Sequence, residues 1–403
     1  MGDIRTGIDI GTTKICTVIA DYNGDVPEVL GIGVSQSEGL RKGVVVNVES
    51  TIHSIRRSVE AAEKMAGFGI NKAFVGIAGS HIKGFNSHGI HAIKSAEITQ
   101  EDIDSVFDAA KAVKVPEDRE IIDVLPQEYI VDDQRGISDP VGMVGVRLEA
   151  NVHIVTAATS SVKNLKNCAL RAGINDFQLI FQPLASAEAI LNREERNLGV
   201  CLVDFGGGTT DIVIYQDGSI KHTAVLGIGG NNLTNDLSVG LRTPLGEAEK
   251  IKIKHGTCMA SVIDEDALIE VPSVGGRKPR KIAHQVLAEI LEPRIEEILN
   301  LVDQELKKTG LKNGINAGVV FTGGSSLLPG LMDMASQIFQ QPARLGFPEG
   351  ISGLPPEFLR PQYATSIGLV LYAYRYRFSV EPGGSGESLY NKARAVIRSI
   401  FKP

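Results

Sequence analysis

Apolar side chains recur with two different periods along the first seventy residues. In residues 49–67 they return every three or four positions, which predicts an amphipathic helix with one buried face. The apolar positions of this helix are Ile52, Ile55, Val59, Ala62 and Met65. Before it, residues 15–20 and 29–34 are short β-rich runs, and Asn23-Gly24 between them is a strong signal for a hairpin turn. The pattern therefore predicts a sheet covered by a helix.

The same opening occurs a second time, in the middle of the chain. A strand followed by a glycine-rich turn is found as IDIGTTK at residues 8–14 and as VDFGGGTTD at residues 203–211. A second β-rich run and a hairpin dipeptide follow each turn, and in the second half that dipeptide is Asp217-Gly218. Repetition of a whole group of elements predicts two related lobes.

Residues 84–159 separate the two repeats and are predicted to form an inserted α+β subdomain. A helix is expected after the capping box of Thr99 and Asp102, and β-rich runs lie at residues 120–132 and 146–159. An irregular β region is expected at residues 260–280. Further helices are predicted at residues 161–172, 183–191, 233–255 and 285–308.

Composition limits the class of protein. A chain of 403 residues with 43% hydrophobic content can bury the cores of two or more lobes. The net charge of -7 gives no general attraction to polyanions, so no nucleic acid partner is expected and membrane contact requires a local basic segment. No secretory signal is evident, and no apolar run reaches the roughly 18 residues of a membrane span. The four cysteines lie far apart without metal-binding spacing, which predicts reduced thiols and favours the cytoplasm.

The two glycine-rich turns have the chemistry of a phosphate site. A phosphate chain needs backbone N–H donors at close range, hydroxyls and a cation, and glycine allows the approach because it has no Cβ. The predicted phosphate ligands are Gly11, Thr12, Thr13, Lys14, Gly206, Gly207, Gly208, Thr209 and Thr210. Asp9 and Asp204, with Asp211 behind them, are predicted to hold the hydration shell of a Mg²⁺ ion, which prefers carboxylates, phosphate oxygens and water.

A third glycine-rich turn follows an apolar strand at residues 319–322. Its residues Gly323, Gly324 and Ser325 are expected to face the same nucleotide. One such turn alone is usually an ordinary loop, whereas three together favour a triphosphate clamp. The sequence contains neither a Gly-x-x-x-x-Gly-Lys-[Ser/Thr] motif nor a Gly-x-Gly-x-x-Gly motif after a strand. These absences argue against a P-loop NTPase and a dinucleotide-binding fold.

On these motifs the chain resembles the actin, Hsp70 and sugar-kinase superfamily, and within it the FtsA family of bacterial cell-division proteins. Residues 7–14 and 204–211 are similar to its two phosphate motifs, and residues 319–331 to its adenosine motif. The likeness to FtsA depends on the insertion before the second hairpin and on the segments AEKIKIKHG and VPSVGGR, which begin at Ala248 and Val271. The resemblance covers residues 4–377.

The resemblance implies an α/β, actin-like, two-lobed fold built on a ribonuclease H-like repeat, with an inserted α+β subdomain and a C-terminal amphipathic helix. It implies ATP and Mg²⁺ as ligands, hinge helices at residues 183–191 and 363–374, and an approach of Glu247 and Lys250 to the ribose and purine. The implied divisions are residues 1–83, 160–198 and 345–380 for the core of lobe 1, 84–159 for the insertion, 199–240 and 309–344 for the core of lobe 2, 241–308 for subdomain 2B, 381–388 for a flexible linker and 389–403 for a membrane-targeting helix.

The end of the chain combines an apolar stripe with a basic face. After the Gly-rich linker, the apolar positions at helical spacing are Leu389, Tyr390, Ala393, Val396, Ile397, Ile400 and Phe401. The basic positions are Lys392, Arg394, Arg398 and Lys402. A terminal helix packed on its own domain is the ordinary alternative. The flexible spacer and the basic face favour a helix that lies in the interface of an anionic membrane.

Two other polar groups have weaker signals. His81, His88 and His91 cluster without a carboxylate or cysteine at ligand spacing, so turn or surface histidines are expected rather than a metal site. The basic run at residues 277–281 is compatible with a solvated surface or with a dock for an acidic partner. By resemblance to FtsA this region receives the acidic C-terminal peptide of FtsZ, with Arg277, Arg280, Arg294 and Asn300 as contacts.

The function implied is that of an ATP-binding division protein at the cytoplasmic face of the inner membrane. It would be peripheral, located at the division site and able to form a homopolymer. It would tether FtsZ filaments and help to recruit later division proteins through the inserted subdomain. No residue is identified as positioning the attacking water, so any ATPase activity is expected to be slow. A small-molecule kinase of the same superfamily and a PilM-like pilus-assembly scaffold are the alternatives.

Overall fold

The architecture consists of two five-stranded sheets, an inserted four-stranded sheet and the helices that cover them. The structure is a computed structural model that describes residues 3–24, 26–263, 267–275 and 277–375. In these ranges the strands are β1 (Asp3–Ile10), β2 (Lys14–Tyr22), β3 (Glu28–Gln36), β4 (Leu40–Arg41), β5 (Val44–Val45), β6 (Lys72–Ile77), β7 (Lys83–Ala92), β8 (Arg119–Val131), β9 (Gln134–Ile137), β10 (Arg147–Ala158), β11 (Asp176–Phe181), β12 (Val200–Phe205), β13 (Thr210–Gln216), β14 (Ser219–Leu226), β15 (Leu268–Val271), β16 (Arg280–Ala283), β17 (Val319–Thr322) and β18 (Ala343–Leu345). The α-helices of the same ranges are α1 (Val48–Ala66), α2 (Gln100–Lys111), α3 (Thr159–Arg171), α4 (Gln182–Ile190), α5 (Arg193–Leu198), α6 (Gly230–Gly240), α7 (Leu245–His255), α8 (His284–Thr309), α9 (Leu331–Phe339) and α10 (Ala364–Arg375).

The two large sheets have the same topology. The sheet of lobe 1 runs in the order β3-β2-β1-β6-β11, and that of lobe 2 in the order β14-β13-β12-β17-β18. In each sheet the first three strands are antiparallel and the last two run parallel to the central strand. This repetition confirms the predicted α/β, actin-like architecture with a ribonuclease H-like repeat.

Helix α1 shows how local sequence signals position an element on the sheet of lobe 1. The Asn47 side chain accepts a hydrogen bond from the N–H of Ser50 at 3.0 Å, and Gly67 ends the helix with φ 84°. Four of the five predicted apolar positions are buried, whereas Met65 is 50% exposed. The helix backbone lies very close to β3 at Gly33. A Cβ on Gly33 would be only 2.0 Å from the carbonyl oxygen of Ser58, so glycine is required there.

The insertion folds as an antiparallel sheet in the order β7-β10-β8-β9, covered by α2. Both hydrogen bonds of the predicted capping box are present, since Thr99 and Asp102 cap each other at the start of α2. The insertion also contacts lobe 2, where His153 Nε2 on β10 lies 2.8 Å from Thr223 Oγ1 on β14. The inserted α+β subdomain is therefore confirmed, and it extends across to the second lobe.

One predicted helix of lobe 2 is wrong in its extent. Residues 233–255 form two helices, α6 and α7, rather than one. Arg242 has a φ of 47°, and Pro244 precedes the first residue of α7. Proline has no N–H for a helix hydrogen bond and its ring clashes with the preceding turn, so one continuous helix cannot pass this point. The irregular β region predicted at residues 260–280 contains β15, and the partner strand β16 begins at its last residue and runs three residues beyond it.

Helices α4 and α10 cross at the junction of the two lobes, where the resemblance places hinge helices. Their backbones are so close that a Cβ on Gly368 would lie 1.8 Å from the carbonyl oxygen of Ala185. Ser186 Oγ and Thr365 Oγ1 are 2.9 Å apart across the crossing. No helix within the described residues is long and apolar enough to cross a membrane. The predicted linker and terminal amphipathic helix lie outside those residues.

Candidate nucleotide-binding cleft

The two glycine-rich turns face each other across the junction of the lobes and have matching local geometry. The N–H of Gly11 donates to the carbonyl oxygen of Lys14 at 3.1 Å in the first turn. The N–H of Gly206 donates to the carbonyl oxygen of Thr209 at 3.0 Å in the second. Each turn joins the central strand of its sheet to an antiparallel neighbour, so the repeated sequence produces a repeated backbone shape.

The tips of the two turns lie so close together that the second turn has no room for a side chain at its tip. A Cβ on Gly207 would lie 2.0 Å from Thr13 Oγ1, and one on Gly208 would lie 2.5 Å from Thr12 Oγ1. Real Cβ atoms essentially never approach a neighbour this closely, so either Cβ would force the turns apart. The glycines therefore determine how near the two lobes come.

A cleft of about 560 Å³ lies between these turns and the third glycine-rich turn. The predicted residues that line it are Asp9, Gly11, Thr12, Thr13, Lys14, Asp204, Gly206, Gly207, Gly208, Thr209, Asp211, Gly323, Gly324 and Ser325. The third turn is fixed to the second because Ser325 Oγ donates to the carbonyl oxygen of Gly206 at 3.0 Å. Gly323 has a φ of 83°, which allows the chain to turn from β17 towards the cleft.

Three predicted ligands do not line the cleft. Thr210 is buried, and its hydroxyl donates to the carbonyl oxygen of Ile228 at 2.9 Å, so its side chain takes part in local structure. Glu247 and Lys250 form an ion pair with each other at 2.7 Å. Lys250 instead borders an adjoining cavity.

Helix α7 presents a different face to the cleft from the one expected. The residues of α7 and its cap that line the cleft are Glu249, Lys252, Ile253 and Gly256, at the spacing of a single helical face. Lys252 Nζ lies 2.8 Å from a carboxylate oxygen of Glu249, 2.8 Å from Thr234 Oγ1 and 3.0 Å from the carbonyl oxygen of Gly230. Burial lowers the pKa of Lys252, and attraction to Glu249 opposes that shift. This network fixes α7 against the start of α6.

Two of the aspartates of the cleft, Asp9 and Asp204, are held by neutral donors and by one lysine. Asp9 accepts a hydrogen bond from Gln182 Nε2 at 3.0 Å and lies 3.2 Å from Lys14 Nζ. Asp204 accepts from Ser186 Oγ at 2.9 Å and from Thr365 Oγ1 at 3.1 Å. Burial alone would lower the pKa of Lys14, but the attraction of Asp9 is the main effect that raises it above its usual value.

Asp211 differs from the other two carboxylates because one of its oxygens has no partner. Thr209 Oγ1 donates to Asp211 Oδ2 at 2.9 Å, whereas the buried Oδ1 has no hydrogen bond within the described residues. Burial and the nearby charge of Asp204 raise the pKa of Asp211 to about 8. A buried acceptor without a donor is costly, so a cation or its bound water would stabilise this oxygen.

The donor set is suited to a hydrated cation. Among the described residues no group of three or more His, Cys, Asp or Glu side chains is placed to hold a metal ion. Two buried carboxylates, Asp9 and Asp211, and the half-buried Asp204 nevertheless border the cleft beside the glycine-rich turns. Mg²⁺ keeps several of its waters and binds through few carboxylates together with phosphate oxygens. The residues therefore fit an ion bound through water.

The far end of the cleft is apolar. Ile253, Leu327 and Leu328 line it together with Gly256 and Pro329. The Ile253 side chain is 75% exposed, which is unusual for a residue of this size and leaves a face for a flat apolar ligand. The cleft thus has a polar end with acids and glycines, and an apolar end beside α7.

Several residues of the cleft were missed from the sequence, among them the polar residues Gln182, Glu249, Lys252, Arg360 and Gln362. Gln182 opens a helix that follows an apolar strand, as predicted, but nothing in that pattern marks its amide as part of the site. Glu249 and Lys252 lie within the segment that carries the family resemblance. The sequence therefore indicated the segment but not which of its residues face the cleft. Arg360 and Gln362 precede α10 at a single 3-10 turn, Pro361–Tyr363, which is too short to show a periodicity.

The remaining predicted residues have the following surroundings. Arg294 pairs with Asp236 at 2.6 Å and also contacts Glu297, whereas Arg280 donates to the carbonyl oxygen of Leu241. Arg277 is exposed, and Asn300 is an exposed residue of α8.

His88 lies 2.7 Å from Glu149, and His91 lies 3.1 Å from Asp102. The four cysteines are buried free thiols.

Comparison with known proteins places this geometry in a family. The profile described as Cell division protein FtsA matches residues 201–368, and that of the SHS2 domain inserted in FtsA matches residues 79–156. The cell division protein FtsA of Pseudomonas aeruginosa is 47% identical over 372 residues, which is 92% of this chain and 89% of that protein. FtsA of Escherichia coli K12 is 40% identical over 374 residues, which is 91% of this chain and 89% of that protein.

Solved structures of the same fold are much more distant in sequence. The PilM-PilN type IV pilus biogenesis complex matches with a TM-score of 0.67 at 15% identity, covering 91% of this chain and 97% of that one. MreB5 of Spiroplasma citri bound to ADP matches with a TM-score of 0.55 at 15% identity, covering 94% and 99%. The MamK double helical filament matches with a TM-score of 0.52 at 12% identity, covering 92% and 98%. At these identities the matches show the actin-like fold alone.

Proposed function

Because this chain belongs to the FtsA family of cell division proteins, we propose that it binds ATP with Mg²⁺ between its lobes, assembles into filaments and tethers FtsZ to the inner membrane. The observation that carries the nucleotide part is the convergence of three glycine-rich turns on one cleft beside Asp9, Asp204 and Asp211.

The polar end of the cleft would hold the phosphates. The N–H groups of the first two turns are accessible at close range because their glycines have no Cβ, and Lys14 supplies a positive charge. Asp9, Asp204 and Asp211 would hold Mg²⁺ through its waters, and the ion would neutralise phosphate charge. This role also supplies a partner for the orphaned oxygen of Asp211.

The apolar end would hold the base, and α7 would contact the ribose. Ile253 and Leu328 provide apolar surface for a planar ring, while Glu249 and Lys252 lie on the same face of α7 as Ile253. We therefore assign the ribose contacts to Glu249 and Lys252 rather than to Glu247 and Lys250. A fold neighbour, MreB5 of Spiroplasma citri, was solved with bound ADP.

Hydrolysis is proposed to be slow, with the nucleotide acting mainly as a conformational ligand. Gln182 brings a neutral side-chain amide into the cleft beside Asp9, and its Nε2 donates a hydrogen bond to that carboxylate. Closing the lobes over ATP would change the surface that one subunit presents to the next, which links nucleotide state to self-assembly. The fold shared with the MamK double helical filament supports assembly of this kind.

The partner and membrane contacts are proposed from the sequence and the family. Arg277, Arg280, Arg294 and Asn300 would contact the acidic C-terminal peptide of FtsZ. Asp236 and Glu297 already pair with Arg294, so an acidic peptide would have to compete with them. The basic amphipathic segment at residues 389–403 would lie in the anionic membrane interface, and the inserted subdomain would receive later division proteins.

Paired variants on α7 test the nucleotide site. Lys252→Gln removes the charge at the proposed ribose contact and should weaken binding of a fluorescent ATP analogue by about tenfold or more, because a charged hydrogen bond contributes about 1.5–3 kcal/mol. Lys250→Gln, only two positions away, should change affinity less than about twofold. Equal losses in both variants, or none in either, would contradict the assignment.

Liposome co-sedimentation tests the membrane and partner assignments. The full chain should pellet with anionic vesicles, deletion of residues 389–403 should abolish pelleting, and the FtsZ C-terminal peptide should be carried down only with the full chain. Addition of Mg·ATP should increase pelleting, because assembly multiplies weak anchors. Unchanged pelleting after the deletion would contradict the tether.

A further inference from the structure

A second cavity opens from the phosphate end of the cleft and has no role in the proposed function. It encloses about 750 Å³ and shares Thr12, Thr13, Gly208, Asn231 and Glu249 with the cleft. One wall is the ribbon formed by β4 and β5 with the preceding residues 36–37, and the opposite wall is formed by α6 and the start of α7. The cavity therefore begins where the last phosphate of a bound nucleotide would end.

The ribbon is fixed to the first glycine-rich turn. Its tip consists of Lys42 and Gly43, which both have positive φ values of 51° and 73° and so form a tight hairpin turn. The N–H of Gly43 donates to Thr12 Oγ1 at 3.1 Å, and the N–H of Ser80 donates to the carbonyl oxygen of Lys42 at 3.3 Å. Residues 41 and 42 are thus carried to the cavity by a braced element rather than by a loose loop.

The cavity has positive charges that are not neutralised. Arg41 and Lys42 border it, and neither makes an ion pair or a side-chain hydrogen bond within the described residues. The other charged groups of the wall are already paired, since Lys250 contacts Glu247 and Glu249 contacts Lys252. Two cations therefore face this space without a counter-charge.

Ser37 supports this wall of the cavity without facing the space itself. Its N–H donates to the carbonyl oxygen of Thr13 at 3.0 Å, and its Oγ is inaccessible to solvent. The start of α6 does not compete for a ligand, because the N–H groups of Gly230 and Asn231 are taken by the carbonyl oxygens of the second turn. The charged donors of the cavity are therefore Arg41 and Lys42 on the ribbon side, and the α6 wall adds the side-chain amides of Asn231, Asn232 and Asn235.

We propose that this cavity is a binding site for orthophosphate, separate from the nucleotide's own phosphate positions, with Arg41 and Lys42 as the charged donors. A small tetrahedral anion matches two unpaired cations, because phosphate oxygens accept several charge-assisted hydrogen bonds at once. The inference rests on the proposed nucleotide site in one respect, that ADP occupies the cleft beside it. The phosphate would come either from the bound nucleotide or from solution.

Titration of orthophosphate into the full chain saturated with Mg·ADP tests the site directly. The wild-type chain should bind one phosphate, and the double variant Arg41→Gln, Lys42→Gln should weaken that binding by at least about tenfold. The matched control, Lys64→Gln with Lys94→Gln, removes two exposed lysines elsewhere and should leave binding unchanged.

The source of the phosphate follows from a single-turnover reaction with Mg·ATP, in which hydrolysis and phosphate release are followed separately. A lag between them that shortens in the Arg41, Lys42 variant shows that the site takes phosphate from the nucleotide. An unchanged lag, with the titration difference preserved, shows that it takes phosphate from solution. Both results support the site.

Other results overturn the inference and are distinct from failure of the proposed function. Normal ADP affinity with no phosphate binding, or with equal phosphate binding by the wild type and the Arg41, Lys42 variant, shows that the cavity is not a phosphate site. An equal loss in the control pair shows that general charge is responsible. Absence of ADP binding by the wild type contradicts the nucleotide proposal instead.

Discussion

The charge state of single residues in this cleft depends on the groups that the fold places beside them. Asp204 and Asp211 are directly opposite each other in the register of β12 and β13, so the hairpin itself brings two carboxylates together. Burial and this like charge raise the pKa of Asp211 to about 8, so its carboxyl is mostly protonated at neutral pH. The motif shows that an acid is present, but its protonation follows from the surrounding fold.

Binding of Mg·ATP should therefore release a proton from Asp211. A cation beside Oδ1 favours the carboxylate and lowers the pKa below 7, so up to about 0.9 proton is released at pH 7 and almost none above pH 9. Calorimetry in buffers of different ionisation enthalpy measures this number. Asp211→Asn should reduce the release at pH 7 by about half or more, and an unchanged release would assign the proton to another group.

At the scale of elements, the hairpins were predictable from the sequence, whereas the side of helix α7 that faces the cleft was not. The turns after β1 and β12 are encoded by neighbouring residues, so their position and glycine content could be read locally. Helix α7 was also expected, yet its rotation about its axis depends on packing against α6 and on the break at Pro244. Residues two positions apart on an α-helix are separated by about 200° around its axis. Glu247 and Lys250, the predicted ligands, therefore lie on nearly the opposite side of α7 from Glu249 and Lys252.

The contact between β10 and β14 should make the stability of the inserted subdomain depend on pH. His153 is fully buried, with Asn86 and Thr223 at its two ring nitrogens and His222 nearby, and burial followed by the charge of His222 lowers its pKa to about 3. Because the unfolded chain binds a proton below about pH 6.5 and the folded chain does not, stability is lost as the pH falls from 6.5 towards 3.

Urea unfolding at pH 7 and pH 5 measures that effect. The contribution of His153 corresponds to a loss of up to about 2 kcal/mol between these pH values. His153→Gln, which keeps a polar side chain that cannot titrate, should lower stability at pH 7 but show a smaller difference between the two pH values. A pH dependence as large as that of the wild type would show that other groups cause it.

The molecule as a whole is two copies of one sheet brought together at glycines. The motif repeat predicted the paired lobes, and the common strand order of the sheets follows from that repetition. The distance between the lobes was not predictable, because it is determined by contacts such as those of Gly207 with Thr13 and Gly208 with Thr12, which join residues far apart in the chain. The same contacts make closure of the cleft sensitive to a single added methyl group.

Gly207→Ala should act as a wedge between the lobes. Its Cβ would lie 2.0 Å from Thr13 Oγ1, and overpacking of this kind costs about 1–3 kcal/mol. Affinity for Mg·ATP should therefore fall by about tenfold. The radius of gyration of the nucleotide-bound chain, measured by small-angle X-ray scattering, should increase. Thr13→Ala removes the opposing hydroxyl, and the double variant should recover at least about 1 kcal/mol relative to the sum of the single changes. Gly24→Ala, at a turn where an added Cβ meets nothing within 4 Å, is the matched control and should leave both properties unchanged. Strictly additive effects of the Gly207 and Thr13 changes would mean that the two turns do not meet when nucleotide is bound.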